Sequence, residues 1–268
     1  ARFGANVCLD MKLRRLYVLN HPDAIKRLLV ENAGNYARGN SLASQKIRGS
    51  LGNGLLTTDH EDWKRFRKNQ SPAFSQARLA PYLPLMVEEA ILASKRLLGL
   101  TAANGEFDSF KDFMHLTVRA GTRMLMGYEP DEDEIAHITQ AVVVGQEKIW
   151  SDLFLPMDMP NWWPWGHGHA YLGAIRNLTG IADRILEKAR EGKRPDFLEA
   201  IITCAGCDRE ELRAQVRTML VSAPENPSNT LGWIFAILAQ EPEHEARILE
   251  EMRQVLGDRD PEEKDLPK

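Results

Sequence analysis

The sequence predicts a mainly α-helical protein with a small β hairpin at its start. Three observations carry this. From Asp59 to Leu256, apolar residues recur three and four positions apart, over stretches too long for strands. Short β-type runs occur only near the beginning. Gly, Asn and Pro fall between the periodic stretches, where helices stop and turns form. The 268 residues are 43% hydrophobic and 27% charged, the balance of a globular protein with a sizeable core. Length alone allows one or two domains.

In order, Asn6–Asp10 and Leu16–Leu19 read as two strands around the basic turn Lys12 to Arg15. His21-Pro22-Asp23 starts a helix that puts Ile25, Leu28 and Leu29 on one face. The Gly, Ser and Asn content of Asn40 to Thr58 predicts a long loop. Asp59 is placed to cap a helix containing Trp63 and Arg67. Helices are then expected over Pro81–Leu98, Phe107–Gly127, Glu132–Trp150, Ala170–Glu191, Pro195–Thr203, Arg209–Gln240 and Glu243–Leu256. Asn104-Gly105, Pro130-Asp131, Gly192 and Glu241-Pro242 punctuate them. There is no internal repeat and no low-complexity tract.

Composition excludes several classes of function. A net charge of -4 gives no basis for nucleic-acid binding. No run of 18 apolar residues is present, so no membrane span is expected. With no signal-peptide pattern the chain reads as cytoplasmic. It opens on Ala1 rather than Met, which leaves room for an anchor upstream. Three cysteines, Cys8, Cys204 and Cys207, do not make a disulfide framework. Cys204-Ala-Gly-Cys207 has redox-motif spacing without the βαβ surroundings of a redox domain, and two small residues ending a short helix is the plainer account. His167-Gly-His169 lacks neighbouring acidic or cysteine ligands, so no metal site is assigned.

Three stretches carry chemistry. Met219 to Ala239 is one apolar helix interrupted by Pro224-Glu225-Asn226-Pro227. An interior proline costs about 3 kcal/mol, and a buried carboxylate costs several more unless it is paired. Either the helix opens there and turns a polar pair toward a cavity, or the segment is a helix–loop–helix junction. Trp63-Lys-Arg-Phe-Arg67 sets a Trp and an Arg four apart on one helix face. Both can donate to one anionic group; a surface Arg stacked on a Trp has the same pattern. Ile149 to Trp165 holds Trp150, Trp162, Trp163 and Trp165 among Phe, Leu, Met and Pro. Such an apolar loop caps a pocket, dips into a membrane interface, or packs on the core.

Taken together, these pieces resemble the cytochrome P-450 family of haem-thiolate monooxygenases. Leu16-Tyr-Val-Leu-Asn-His-Pro-Asp23 is similar to the family's first hairpin entering its B helix. Leu51-Gly-Asn-Gly-Leu-Leu-Thr-Thr-Asp59, Trp63-x-x-x-Arg67 and Pro72-Ala-Phe-Ser75 resemble its C-helix segment. Ser222-Ala-Pro-Glu-Asn-Pro-Ser-Asn-Thr-Leu231 falls where the family has its oxygen-binding I-helix motif. Ala239-Gln-Glu-Pro-Glu-His-Glu-Ala-Arg247 resembles the turn into its J helix.

The resemblance implies a cytochrome P-450 fold, incomplete here, running from helix B to helix J as a single domain over residues 1–268. It implies haem b, dioxygen, an apolar small-molecule substrate, and a ferredoxin or flavoprotein reductase as electron-transfer partner. Trp63 and Arg67 would bind a haem propionate, with His60 near the same edge. Ser222 and Ala223 would lie over the distal haem face. Glu225 takes the acid position, and Asn226 that of the threonine which helps deliver protons to oxygen.

The chain departs from the pattern in two places. Asn226-Pro227 replaces a Thr-Thr pair, and an amide cannot relay a proton as a hydroxyl does. The proximal cysteine loop is also absent. Glu-x-x-Arg occurs at Glu187/Arg190, Glu191/Arg194, Glu210/Arg213 and Glu250/Arg253, none followed by that loop. Truncation of a longer enzyme is therefore expected, and this chain alone should not form a thiolate-ligated haem centre. The alternative is a non-catalytic helical scaffold or haem-binding protein derived from the family.

Overall fold

The computed structural model describes residues 4, 6–10, 15–36, 42–154, 168–192 and 194–265. Strands β1 (Asn6–Asp10) and β2 (Arg15–Leu19) pair antiparallel, with Cys8 opposite Tyr17. Helix α1 (Pro22–Lys26) follows, with His21 Nδ1 accepting from the Asp23 amide at its N-terminus. Next come α2 (Leu42–Leu51), α3 (His60–Gln70), α4 (Gln76–Leu79) and α5 (Leu83–Asn104). The chain continues through α6 (Ser109–Met126), α7 (Glu132–Phe154), α8 (Gly168–Lys188), α9 (Asp196–Ile202), α10 (Arg209–Leu238) and α11 (Pro242–Val255). The architecture is mainly helical with one small hairpin, as the residue pattern predicts. No described helix is long and apolar enough to cross a membrane.

The core lies among α6 to α10. Met114 and Val118 of α6, Ile138 and Val142 of α7, and Leu178, Ile181 and Ile185 of α8 meet Phe197, Leu198 and Ile201 of α9. Val216 and Leu220 bring in α10, which packs most extensively along α6. These side chains recur three and four apart along each helix, the stripe an amphipathic helix buries.

Two expectations are corrected. The long loop predicted over Asn40–Thr58 contains α2. Its Ile47 and Leu51, four apart, both reach the core. Gly52, at φ +81°, takes the left-handed residue that ends it. Gly49 sits in open space, so the Gly and Ser content of this stretch did not signal a turn. The predicted opening at Pro224–Pro227 is also absent: α10 runs unbroken from Arg209 to Leu238. The prolines remove the amide donors owed to the Leu220 and Ala223 carbonyls. Tertiary packing outweighs that loss, because Leu220, Pro224 and Ser228 form one buried face against α6, where Ser228 Oγ reaches Met114 Sδ.

Smaller differences lie at helix ends. Helix α5 begins at Leu83 and continues past Leu98 to Gly105, at φ +72°. Helix α6 begins after Asp108, whose carboxylate caps the Lys111 amide. Helix α7 continues past Trp150 to Phe154. Asp59 takes the N-cap position of α3, but its side chain makes no capping bond to the helix. Cys204 and Cys207, expected as small residues at a helix end, are bonded to each other. The side chain of Trp150 and residues 155–167, which hold the other three tryptophans of that segment and His167, lie outside the described residues.

Candidate functional site

The site is built from two helix faces. On α3, His60, Trp63, Arg67 and Gln70 recur at three- and four-residue spacing and so share one face. His60, Trp63 and Arg67 are exposed, Trp63 at 38%, whereas Gln70 is buried. His60 takes φ +49°, a left-handed conformation that non-glycine residues adopt at a cost of about 1–3 kcal/mol. On α10, Gln215, Met219, Ser222, Asn226 and Trp233 fall on one face by the same spacing. Gln215 is 2% exposed, Ser222 is half-buried, and Asn226 and Trp233 are open.

The two faces join at one hydrogen bond: Gln70 Nε2 donates to Gln215 Oε1 at 3.0 Å. The same Gln215 oxygen accepts the Leu55 amide at 3.1 Å. The loop carrying Leu55 is fitted closely to α10. A Cβ on Gly54 would lie 2.5 Å from Thr218 Oγ1 and 3.0 Å from the Ala214 carbonyl. A Cβ on Gly52 would lie 2.9 Å from the Ala214 Cβ. Arg48 of α2 holds the far side of the loop by donating to the Thr57 carbonyl, at 2.6 Å from Nη2.

Charges are distributed unevenly along α3. Arg65 donates to Glu211 at 2.7 Å and to Asp62 at 3.1 Å, and the Glu211 carboxylate raises its pKa despite opposing burial. Two residues on, the Arg67 guanidinium has no ion pair or hydrogen bond among the described residues, and neither has the Trp63 indole N–H. Arg65 is structural. Trp63 and Arg67 are two unspent donors on one face.

The I-helix-like residues are placed as follows. Ser222 Oγ donates to the Thr218 carbonyl at 2.7 Å, so its hydroxyl is engaged within the helix. Ala223 turns toward α6, where a Cβ built on Gly121 would come within 4.0 Å of its own Cβ. Glu225 is half-buried and accepts a hydrogen bond from Gln146 Nε2 of α7. Asn226 is exposed. Ser222 and Asn226 therefore share the face that leads to α3, while Ala223 lies to one side and Glu225 to the other. Gln70, Gln215 and Gln146 were not foreseen; their partners are distant in sequence and they belong to no short motif, while Gly54 falls within the Leu51–Asp59 motif whose contact with α10 the sequence did not reveal.

The mainly helical fold places the Trp63/Arg67 face of α3 and the acid-amide segment of α10 on two helices joined through Gln70 and Gln215. The chain belongs to the cytochrome P450 family, whose model matches residues 1–268. It is 28% identical to cyclooctatin synthase of Streptomyces melanosporofaciens, over 99% of this chain and 58% of that protein. It is 28% identical to pentalenene oxygenase of Streptomyces avermitilis, over 94% of this chain and 56% of that protein. Cytochrome P450 4B1 of Rattus norvegicus is 24% identical, over 78% of this chain and 45% of its own length. The chain thus spans about half the length of these relatives.

Membership in the family implies haem b. The residues present fit one part of that group. Trp63 and Arg67, four apart on one face and without partners among the described residues, suit a propionate carboxylate, to which an N–H and a guanidinium both donate. They do not supply the thiolate: Cys204 and Cys207 bond each other, and Cys8 sits on the exposed hairpin.

Proposed function

We propose that this chain forms the distal, propionate-binding part of a haem monooxygenase that oxidises an apolar small molecule with dioxygen. Electrons would come from a ferredoxin or a flavoprotein reductase. The whole of residues 1–268 is read as one region of a single cytochrome P450 domain. The observation that carries the reading is the meeting of the two faces at Gln70 and Gln215: the donor face of α3 and the Ser222/Asn226 face of α10 are fixed to one another.

Haem, when bound, supplies the binding and reductive activation of dioxygen. This chain's residues hold and position it. Trp63 and Arg67 would donate to a propionate, with His60 on the same α3 face. Ser222 would keep the α10 surface low on the face toward α3, while Ala223 packs beside it toward α6. Glu225 is the residue able to take up and release a proton, at the carboxylate that Gln146 orients. Asn226 can donate to or accept from water or a substrate hydroxyl, but it passes no proton on. Proton delivery involving Glu225 would then have to run through water rather than through Asn226.

The substrate reading rests on the apolar Ile149–Trp165 segment and on the relatives. Two Streptomyces relatives are named for pentalenene and for cyclooctat-9-en-7-ol, by their suffixes an alkene and an unsaturated alcohol. A hydrocarbon-like substrate bearing at most a hydroxyl is the class proposed here.

The test is incubation of the haem-loaded full-length protein with such substrates, reductase and ¹⁸O₂. One labelled oxygen atom in the product supports the reading. Haem bound with no labelled product supports the second reading, a non-catalytic haem-binding scaffold, which the amide at Asn226 favours. For the 268-residue chain alone, the reduced carbon-monoxide difference spectrum is expected to lack the thiolate Soret band. Its appearance would overturn the assignment of the cysteines.

A further inference from the structure

The turn Cys204-Ala-Gly-Cys207 joins α9 to α10 and has no role in the site above. Its backbone is closed without help from the sulfurs. The Cys207 amide donates to the Cys204 carbonyl at 3.2 Å, and Gly206 supplies the left-handed residue at φ +73°. The flanks are held independently. Leu198 and Ile201 are in the core, and Asp208 forms a reciprocal capping box with Glu211 at the start of α10. A disulfide that closes so short a loop removes little entropy from the unfolded chain. This one braces a turn that is already made, so the fold does not depend on it.

The two sulfurs differ in surroundings. Cys204 is buried at 8% exposure, while Cys207 is half-open. Arg65 of α3 donates from Nη1 to Cys207 Sγ at 3.5 Å. We propose that Cys204 and Cys207 form a reversible thiol–disulfide pair, reduced by small thiols, with Cys207 as the sulfur open to attack.

The exchange balances as follows. A reductant thiolate attacks Cys207 Sγ, the Cys204–Cys207 bond breaks, and Cys204 leaves as a thiolate that takes a proton. A second reductant thiolate then attacks the reductant sulfur of the mixed disulfide. Cys207 is released and protonated, and the reductant departs as its own disulfide. Two electrons and two protons pass from two thiols to the protein. The charged groups around Cys207 are Arg65, the Asp62 and Glu211 carboxylates that bind the same guanidinium, and the adjacent Asp208. Arg65 is the cation that touches the released sulfur. It also shares α3 with Trp63 and Arg67, so the state of the pair bears on that helix.

The test uses the 268-residue chain carrying Cys8→Ser, whose remaining cysteines are this pair. It is equilibrated in mixtures of reduced and oxidised dithiothreitol, alkylated with a maleimide, and weighed intact, with far-UV circular dichroism recorded alongside. The expected result is a change from no label to two labels through one midpoint, with the helical signal unchanged. In the reduced protein, Arg65→Gln should slow labelling of Cys207 several-fold and Arg65→Lys should partly restore it. Labelling only after denaturant, two labels under excess oxidant, or loss of helix on reduction would each overturn the proposal. An unchanged labelling rate in Arg65→Gln would overturn the role given to Arg65.

Discussion

The two halves of α10 are built from the same helical backbone and treated oppositely by the fold. From Arg209 to Leu220 nearly every polar side chain has a partner. Arg213 pairs with Asp183 at 2.7 Å, and the buried Arg217 donates to Glu210 at 2.5 Å and to Thr179 at 3.1 Å. Glu211 holds Arg65, and Gln215 holds Gln70 and Leu55. From Asn226 to Leu238 the helix presents large apolar side chains to solvent: Trp233 is 72% exposed, and Ile234, Phe235 and Ile237 are open beside it. Sporadic exposed apolar residues are ordinary, but a contiguous run marks a contact surface. One half is an anchor and the other is a wall. The candidate site residues Ser222 to Asn226 lie at the boundary between them.

The comparison is broken most severely by removing charge from the scaffold behind the anchor. Glu89 of α5 is 1% exposed and is held by Arg119 at 3.0 Å and by Arg123 of α6. Glu89→Ala leaves two partly buried guanidiniums without it. It should cost about 3–5 kcal/mol, read by urea unfolding. Burial pushes the Glu89 carboxyl up, but the two guanidiniums outweigh burial and hold it below the ordinary carboxylate range. A depressed carboxyl stabilises the fold above its unfolded value, about 4.3, and loses that contribution as pH falls through the folded value. Melting temperature should therefore hold near neutrality and drop below about pH 4. Glu89→Gln should flatten that acid limb.

The next largest effects set two glycines against each other. Gly54→Ala meets Thr218 and the Ala214 carbonyl on the anchored half, and should destabilise by about 1–3 kcal/mol. Gly232→Ala lies on the exposed half with no atom within 4 Å of the new methyl group. It should stabilise by about 0.5–1 kcal/mol through helix propensity. Thermal melts of both variants decide whether the halves differ as described; shifts of the same sign in the two variants would remove the distinction. The smallest effect is at His60, where His60→Gly trades the left-handed strain at φ +49° for a residue at ease there. A rise in melting temperature of a few degrees or less is expected.

The sequence made the helices and the Trp63/Arg67 face legible, because helical spacing is a local property and both residues stand four apart on α3. The family membership was legible for the same reason. What binds α3 to α10 was not. Gln70 and Gln215 are 145 residues apart, and a glutamine in a helix announces no partner. Helix α2 was hidden by Gly and Ser whose cost is repaid by Ile47 and Leu51 in the core. The unbroken course of α10 was hidden too. A proline's local penalty is visible in sequence, while the packing of Pro224 and Ser228 against α6 that outweighs it is not.

The central claim is that α3 offers an unpaired donor face for a haem propionate, fixed to α10 through Gln70 and Gln215. The most direct measurement is haem titration of the protein followed by Soret absorbance, comparing Arg67→Ala with the parent. A charge-assisted hydrogen bond of about 1.5–3 kcal/mol corresponds to roughly 10- to 150-fold in affinity. The account predicts a loss in that range with an unchanged melting temperature. Haem affinity equal to that of the parent would contradict it.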